Sequence, residues 1–313
     1  MNPVIVRDLV KRFDGTTALD RVSFDVAPGE LFGFIGPDGA GKTTLFRILT
    51  TLVLADSGDA SVLGLDVVRD LWAIRRRVGY MPGRFSLYPD LSVQENLRFF
   101  ASVFGAAPDE AAAVIAPIYR QIEPFRDRRA AALSGGMKQK LALCCALVHR
   151  PDVLFLDEPT TGVDAVSRRE FWDLLADLKA GGLTIVVSTP YMDEASRCDR
   201  VALVQSGRIL ETAPPATIGG RYPRPLLAVS GAQRYAMLQA LRTFPHAYSV
   251  FPFGEVLHYA DARTNAVPDA IAGELTAWLA GRGFGDARAT PIRAGVEDVF
   301  MALMASSDGA VAA

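Results

Sequence analysis

The sequence has few cysteines, and their arrangement would neither crosslink the chain nor bind a metal. Its 313 residues include three cysteines, Cys144, Cys145 and Cys198, and none is spaced as a metal-ligand pair or a disulfide framework. A chain of this length, 50% of it apolar, can instead bury a substantial core in two domains of ordinary size. The composition therefore excludes a small disulfide-stabilised fold and is typical of a reducing, cytoplasmic setting.

Long apolar runs and a strong charge of either sign are also absent. The longest uninterrupted apolar run is Leu141 to Val148, which is too short to span a bilayer. The start, Met1-Asn2-Pro3, does not open a basic segment followed by an apolar one, so we expect neither membrane insertion nor export. The formal net charge is −2, which gives no global attraction to nucleic acid, and no nucleic-acid partner is expected.

What the sequence does contain is a phosphate-binding loop. Residues 36–44 follow the pattern of a glycine, four free positions and then Gly-Lys-Thr. The apolar run at 31–35 predicts a buried strand before the loop, and the spacing at 44–51 predicts a helix after it. Because of this context we prefer a P-loop to an ordinary glycine-rich turn, with Lys42 on the β- and γ-phosphates and Thr43 as a Mg²⁺ ligand. The predicted nucleotide-binding residues of the loop are Gly36, Pro37, Asp38, Gly39, Ala40, Gly41, Lys42, Thr43 and Thr44.

A helical insert is predicted at about 92–150. Ser92 and Glu95 form a capping-box pattern at its start. Towards its end Ser134 is a natural N-cap, and the glycines after it expose backbone N–H groups at a helix start. The buried face of that last helix is predicted to consist of Met137, Leu141, Cys144 and Val148.

Two acidic residues follow the next apolar strand, at 153–157. Asp157 ends the strand and Glu158 comes directly after it. One carboxylate at a strand end near a P-loop suits Mg²⁺ coordination, and a second suits polarising an attacking water.

With these motifs in order, roughly residues 4 to 215 resemble the ATP-binding subunits of ABC transporters. The P-loop is followed by the Leu133–Met137 signature, the acidic strand and the D-loop at Thr161–Asp164. The resemblance implies an α/β, P-loop ABC-type ATPase domain with a helical insert, using ATP and Mg²⁺. It also implies pairing with a second ATPase subunit and docking on a separate exporter permease at the inner face of the cell membrane. The alternatives are an ABC ATPase acting on a protein or nucleic-acid complex, and a generic P-loop kinase or GTPase.

The resemblance also assigns roles by position. The expected catalytic residues are Lys42, Asp157 and Glu158, the last as general base, and the expected Mg²⁺ ligands are Thr43 and Asp157. Phe13 corresponds to the aromatic residue that stacks on adenine, although an apolar plug between strands is an alternative interpretation of its ring. The residues expected to bind the partner's γ-phosphate in trans are Ser134, Gly135 and Gly136.

Two positions depart from the family pattern. Gly83 stands where the family has a glutamine, and Pro190 stands where it has a histidine. The three histidines, His149, His246 and His258, lie elsewhere in the sequence. Because both residues that sense the γ-phosphate are replaced, we expect slow turnover at this chain's own site. A heterodimer with a different ABC ATPase subunit is therefore favoured, and a homodimer stays open.

The remaining sequence predicts an accessory domain and a docking loop. The ATPase domain is predicted at 1–215, a proline-containing linker at 216–225 and a small α+β domain of ferredoxin-like type at 226–313. In the loop before the insert, Phe85, Leu87 and Tyr88 are expected to hold a helix of the permease. Packing of these side chains onto the helical insert is the alternative.

Overall fold

The computed structural model describes the backbone of residues 1–311 and the side chains of residues 1–107 and 112–304. The chain divides into two compact units, Met1–Pro215 and Ala216–Ala313. Within the described ranges, none of the helices combines the length and the apolar character that crossing a membrane requires.

The first unit contains a six-stranded sheet in the order β10-β9-β3-β8-β7-β6 and a four-stranded sheet in the order β2-β1-β4-β5. Its strands are β1 (Val4–Phe13), β2 (Thr16–Val26), β3 (Leu31–Ile35), β4 (Ser57–Val62), β5 (Leu65–Asp66), β6 (Val78–Met81), β7 (Val153–Asp157), β8 (Thr184–Thr189), β9 (Arg200–Gln205) and β10 (Arg208–Ala213). Its helices are α1 (Lys42–Leu49), α2 (Leu71–Arg75), α3 (Val93–Phe104), α4 (Pro108–Tyr119), α5 (Gly135–Leu147) and α6 (Ala165–Ala180), and α7 (Pro215–Ile218) begins at the boundary.

The six-stranded sheet is parallel except at its β10 edge. Every residue of β3, β7 and β8 is buried, as expected for parallel strands covered on both faces. Because parallel strands end at the same edge, the P-loop after β3 and the acidic pair after β7 lie on one side of the sheet. This confirms the predicted order of strand, loop and helix.

A column of aromatic rings fixes α1 against the sheets. Phe24 of β2 lies 4.8 Å from Phe34 of β3, measured between ring centroids. Phe46 of α1 lies 5.9 Å from Phe34 and 5.9 Å from Phe155 of β7. All of these contacts have the edge-to-face geometry that aromatic pairs favour. The helix that follows the P-loop is therefore held between the strands that carry the two halves of the site.

The helical insert begins with the predicted capping box. The backbone N–H of Ser92 donates to Glu95 Oε2 at 2.7 Å, and that of Glu95 donates to Ser92 Oγ at 3.2 Å. At the other end, α5 is buried on most of its surface rather than on one face, because α3, α4, α6 and β6 all pack against it. Met137, predicted on the buried face, is only half-buried, whereas Leu143 and Cys145 outside that face are buried.

The second unit begins with the residues predicted as a linker. Residues 219–221 form a 3₁₀ turn, and Ile218 is fully buried. A Cβ added to Gly219 would lie 2.0 Å from the carbonyl oxygen of Ala294, so the segment packs tightly against the end of its own unit.

The rest of this unit has the element order of a split βαβ arrangement followed by a closing helix. Its strands, in the sheet order β12-β13-β11-β14, are all antiparallel neighbours. The elements are β11 (Leu226–Ser230), α8 (Arg234–Arg242), β12 (Ala247–Phe253), β13 (Val256–Asp261), α9 (Pro268–Ala280), β14 (Arg288–Pro291) and α10 (Val296–Val311). The unit has its own apolar core, to which Leu227, Met237, Tyr259 and Leu275 belong.

Candidate nucleotide-binding site

The loop after β3 is shaped by its glycines. Gly39 and Gly41 adopt φ values of +80° and +99°, in the left-handed region that other residues enter at a cost. A Cβ on Gly36 would lie 2.1 Å from the carbonyl oxygen of Val204, and one on Gly41 would lie 2.3 Å from that of Ala18. The backbone therefore curls tightly between β9 and β2, in a conformation that requires glycine.

The loop leads directly into α1, and no side chain caps the start of that helix. Gly41 is the N-cap, and no side chain accepts a hydrogen bond from the first turn. The first N–H groups of a helix have no intrahelical partner, and together with the helix dipole they attract anions. A cavity of about 150 Å³ lies at this point, lined by Ala18, Glu158 and residues 39–44. This arrangement suits the phosphate groups of a nucleotide.

Lys42 supplies a buried positive charge to the same point. Its side chain is buried, and its Nζ donates to the carbonyl oxygens of Gly36 at 2.8 Å and Pro37 at 3.0 Å. Nζ also lies 3.2 Å from Glu158 Oε1. The structure thus brings the P-loop lysine into direct contact with Glu158, which follows the distant strand β7.

The acidic pair is held by the neighbouring strand. Asp157 is buried, and its Oδ1 accepts a hydrogen bond from Ser188 Oγ at 2.7 Å. The backbone N–H of Glu158 donates to the carbonyl oxygen of Ser188 at 3.0 Å, and Glu158 has a φ of +49°. The β8 strand therefore holds the Asp157 carboxylate and the backbone of Glu158.

The oxygen donors at this edge fit magnesium better than a softer metal. The carboxylate of Asp157 and the hydroxyl of Thr43 are hard oxygen ligands. Among the described residues, no cluster of three or more His, Cys, Asp or Glu side chains could hold a metal ion by itself. Mg²⁺ is commonly bound by one or two protein oxygens together with substrate phosphates, so the residues present fit that mode.

The two departures from the family pattern lie beside this acidic pair. A Cβ on Gly83 would lie 3.0 Å from the carbonyl oxygen of Asp157 and 3.7 Å from the Cβ of Glu158. Pro190 directly follows Thr189, whose carbonyl oxygen accepts from the N–H of Gly36 at 3.3 Å. Both positions thus adjoin the site, but glycine has no side chain and proline has no N–H to donate.

Phe13 ends β1 with its ring 46% exposed. Lys11 Nζ lies 5.0 Å from the ring centroid, within range of a cation–π contact. This exposure contradicts the interpretation of Phe13 as an apolar plug between strands.

The signature segment is separate from the P-loop cavity. Ser134 caps α5, its Oγ accepting from the N–H of Met137 at 3.4 Å, and Ser134 and Gly135 are exposed. Gly136 is buried, and a Cβ there would lie 2.6 Å from the Cβ and Oγ of Ser167 on α6. None of the described residues that line the P-loop cavity comes from this segment.

Sequence reasoning did not identify a buried cluster around Glu194. Its carboxylate accepts from Thr160 Oγ1 at 2.8 Å and from Thr189 Oγ1 at 2.5 Å, and Arg168 Nε lies 3.6 Å away. The adjacent acids Asp193 and Glu194 were the only local signal, because Thr160 lies 34 residues earlier in the sequence and Arg168 lies on another helix.

A second cavity, of about 530 Å³, lies between the six-stranded sheet and the helical insert. Its walls are largely apolar and include Leu52, Trp72, Leu87, Phe100, Val103 and Phe104.

Of the three loop residues predicted for docking, only Leu87 lines this cavity. Phe85 lies under Lys138, whose Nζ is 5.6 Å from the ring centroid, and Tyr88 packs on Phe99 at 4.7 Å. Phe85 and Tyr88 are 40% and 48% exposed.

Comparisons with known proteins agree with this geometry. A family profile described as ABC transporter matches residues 19–161. The probable multidrug ABC transporter ATP-binding protein YbhF of Escherichia coli is 44% identical over 214 residues, which are 67% of this chain and 36% of YbhF. The chain therefore spans just over a third of that relative. The Nod factor export ATP-binding protein I of Burkholderia thailandensis is 42% identical over 219 residues, 69% of this chain and 72% of the relative.

Solved structures show the same fold over about 70% of the chain. An ATP-binding subunit of an ABC transporter is 29% identical with a TM-score of 0.64, covering 70% of this chain and 92% of its own. The cbiO1 protein from Clostridium perfringens is 27% identical with a TM-score of 0.63, covering 70% and 91%. On these matches, and with a P-loop, signature helix and acidic strand in place, the chain belongs to the family of ABC transporter ATP-binding proteins.

Proposed function

We propose that this protein is the ATP-hydrolysing motor subunit of a membrane ABC exporter. The observation that carries the proposal is the contact of 3.2 Å between Lys42 Nζ and Glu158 Oε1 at the mouth of the P-loop cavity. Phosphate binding and activation of a water molecule need a cation and a carboxylate at one point. The export names of the relatives support the direction of transport.

In this proposal the loop residues hold the triphosphate and the acidic pair acts on it. The N–H groups at the start of α1 and the Lys42 ammonium bind the phosphates, and Phe13 stacks on the adenine. Thr43 and Asp157 would hold Mg²⁺, which would supply positive charge to the phosphate oxygens. Glu158 is the general base, and its carboxylate accepts a proton from the attacking water.

The nucleotide site is completed by a second ABC ATPase subunit. Because the signature residues Ser134 and Gly135 are exposed and lie outside the P-loop cavity, they serve a nucleotide on another chain. Gly83 and Pro190 leave this chain's own site without two contacts to the γ-phosphate or its water. We therefore favour a heterodimer in which this subunit binds ATP tightly, hydrolyses it slowly and completes a faster site on its partner.

The apolar cavity of about 530 Å³ is the proposed docking site for a cytoplasmic helix of the permease. Trp72 is 69% exposed and Phe104 is 38% exposed at its rim, and large exposed apolar groups of this kind mark interaction sites. Docking there places the protein peripherally on the inner face of the cell membrane.

Calorimetry with MgATP tests the nucleotide site. Lys42→Ala removes the buried ammonium and is expected to abolish binding, whereas Lys179→Ala is a matched control because that lysine is on α6 and pairs with Asp199 at the surface. Glu158→Gln keeps the side-chain volume and should retain binding while reducing hydrolysis to a small residual rate. Equal affinity of wild type and Lys42→Ala for ATP would contradict the proposal.

A further inference from the structure

The Glu194 cluster joins the ends of two neighbouring strands. Glu194 is 3% exposed, and each of its carboxylate oxygens accepts one threonine hydroxyl. Oε1 accepts from Thr160 at 2.8 Å and Oε2 from Thr189 at 2.5 Å. A buried carboxylate is costly unless it is paired and hydrogen-bonded, so these contacts hold the three residues in one arrangement.

Both threonines adjoin residues of the proposed nucleotide site. Thr160 comes two residues after Glu158, whose φ of +49° is a strained conformation that surrounding contacts must maintain. Thr189 ends β8 immediately before Pro190, and its Oγ1 also accepts from the N–H of Tyr191 at 3.0 Å. Pro190 itself has neither a side-chain donor nor an N–H, so its position depends on the hydrogen bonds that Thr189 makes.

The cluster also reaches the signature segment through α6. Arg168, in the first turn of α6, lies 3.6 Å from Glu194 Oε1. Asp164 caps the same helix, accepting from the N–H of Ser167 at 3.0 Å, and Ser167 is the residue against which Gly136 packs. One chain of contacts therefore connects the backbone near Glu158 with the signature glycine.

We propose that Glu194 is a positioning residue, which holds Glu158 and the start of α6 in the arrangement required for hydrolysis. The inference rests on the proposed ATPase function and goes beyond it, because Glu194 touches neither nucleotide nor metal in that scheme. It acts through Thr160, and its loss displaces the general base without removing any group that binds phosphate.

The sharpest variant is Thr160→Val, which keeps the buried shape and removes only the hydroxyl. A small displacement of a catalytic group reduces rates by up to about 100-fold, so we expect single-turnover hydrolysis of MgATP to fall about 10- to 100-fold. The dissociation constant for MgATP should stay within about twofold of wild type. Thr160→Ser restores the hydroxyl and should recover the rate, and Glu194→Gln should reproduce the loss.

Asp193→Asn is the matched control. Asp193 precedes Glu194 and pairs with the same Arg168 at 2.8 Å, but its side chain is 67% exposed. Exposed pairs contribute little, so the control should change the hydrolysis rate less than about twofold.

A second experiment separates positioning from a structural role. In a Glu158→Gln background the displaced base is already absent, so Thr160→Val should cause no further loss of rate. An additional loss there, or an unchanged rate for Thr160→Val in the wild-type background, would overturn the inference. If Glu158→Gln hydrolyses ATP as fast as wild type, the proposed function is wrong and the inference fails with it. This result is obtained before Thr160 is changed, so the two failures can be distinguished.

Discussion

Restoring the two missing side chains should accelerate this chain's own site. Gly83→Gln together with Pro190→His returns a side-chain amide and an imidazole to positions that adjoin the acidic pair. The backbone at Gly83 permits a side chain, because its φ lies outside the left-handed region. The wild-type protein, purified alone, is expected to turn over more slowly than the ~1 s⁻¹ at the lower end of typical enzymes.

The expected gain follows from the contacts regained. Loss of one hydrogen-bond donor to a transition-state oxygen costs about 10²–10³ in rate, or about 3–4 kcal/mol, and neighbouring catalytic groups are not additive. A Cβ at position 83 would lie 3.0 Å from the carbonyl oxygen of Asp157, so the backbone must shift by a few tenths of an ångström and part of the gain is lost. We expect the double variant to hydrolyse MgATP about 100-fold faster than wild type.

Single-turnover hydrolysis of radiolabelled ATP measures the chemical step directly. Gly83→Ala and Pro190→Ala are the controls, since they make the same backbone changes without the functional groups and should leave the rate within about threefold. Adding Glu158→Gln to the double variant should abolish the gain. Rapid hydrolysis by the wild-type chain alone, or a double variant no faster than wild type, would refute the reasoning.

Three further outcomes are expected. Replacing Trp72 and Phe104 with serine removes apolar area worth about 1.5–3 kcal/mol per side chain and should weaken co-purification with the permease at least tenfold. Phe85→Ser should have a smaller effect, because Phe85 does not line the cavity. Equal effects of the two changes would contradict docking in the cavity. Phe155→Ala opens the aromatic column and should lower the free energy of unfolding in urea by about 3–5 kcal/mol; a loss below about 1 kcal/mol would contradict the packing. Burial lowers the pKa of His149, although its hydrogen bond to Val78 opposes this, so the unfolded chain binds the proton more readily than the folded one. The neutral His149 side chain therefore stabilises the fold fully above about pH 6.5, and this stabilisation declines as the pH falls below that value. His149→Gln should make the free energy of unfolding depend less on pH between about pH 7 and 5. An unchanged slope would exclude His149 as the cause.

Local motifs were predictable from the sequence because their geometry is set within a few residues. The strand before residue 36, the helix after it and the capping box at Ser92 and Glu95 were all confirmed. The roles assigned to individual site residues stay predictions. The docking loop was harder, because the sequence showed three large apolar residues but not that Leu87 alone turns into the cavity.

Contacts between distant segments could not be predicted from pattern. The burial of α5 on most of its surface depends on four elements packing around it, and periodicity in the helix itself shows only one face. The Glu194 cluster is of the same kind, since Thr160 and Arg168 approach Glu194 only after the sheet and α6 have formed. Such networks become visible only in the folded chain.

The positive φ of Glu158 costs folding stability at the position of the proposed general base. A glutamate in the left-handed region costs about 1–3 kcal/mol relative to a relaxed backbone, and glycine would adopt the same conformation without strain. Glu158→Gly is therefore expected to relieve backbone strain while removing the proposed base. The chain keeps a strained residue at this position, and in that strained conformation the Glu158 carboxylate lies 3.2 Å from Lys42 Nζ.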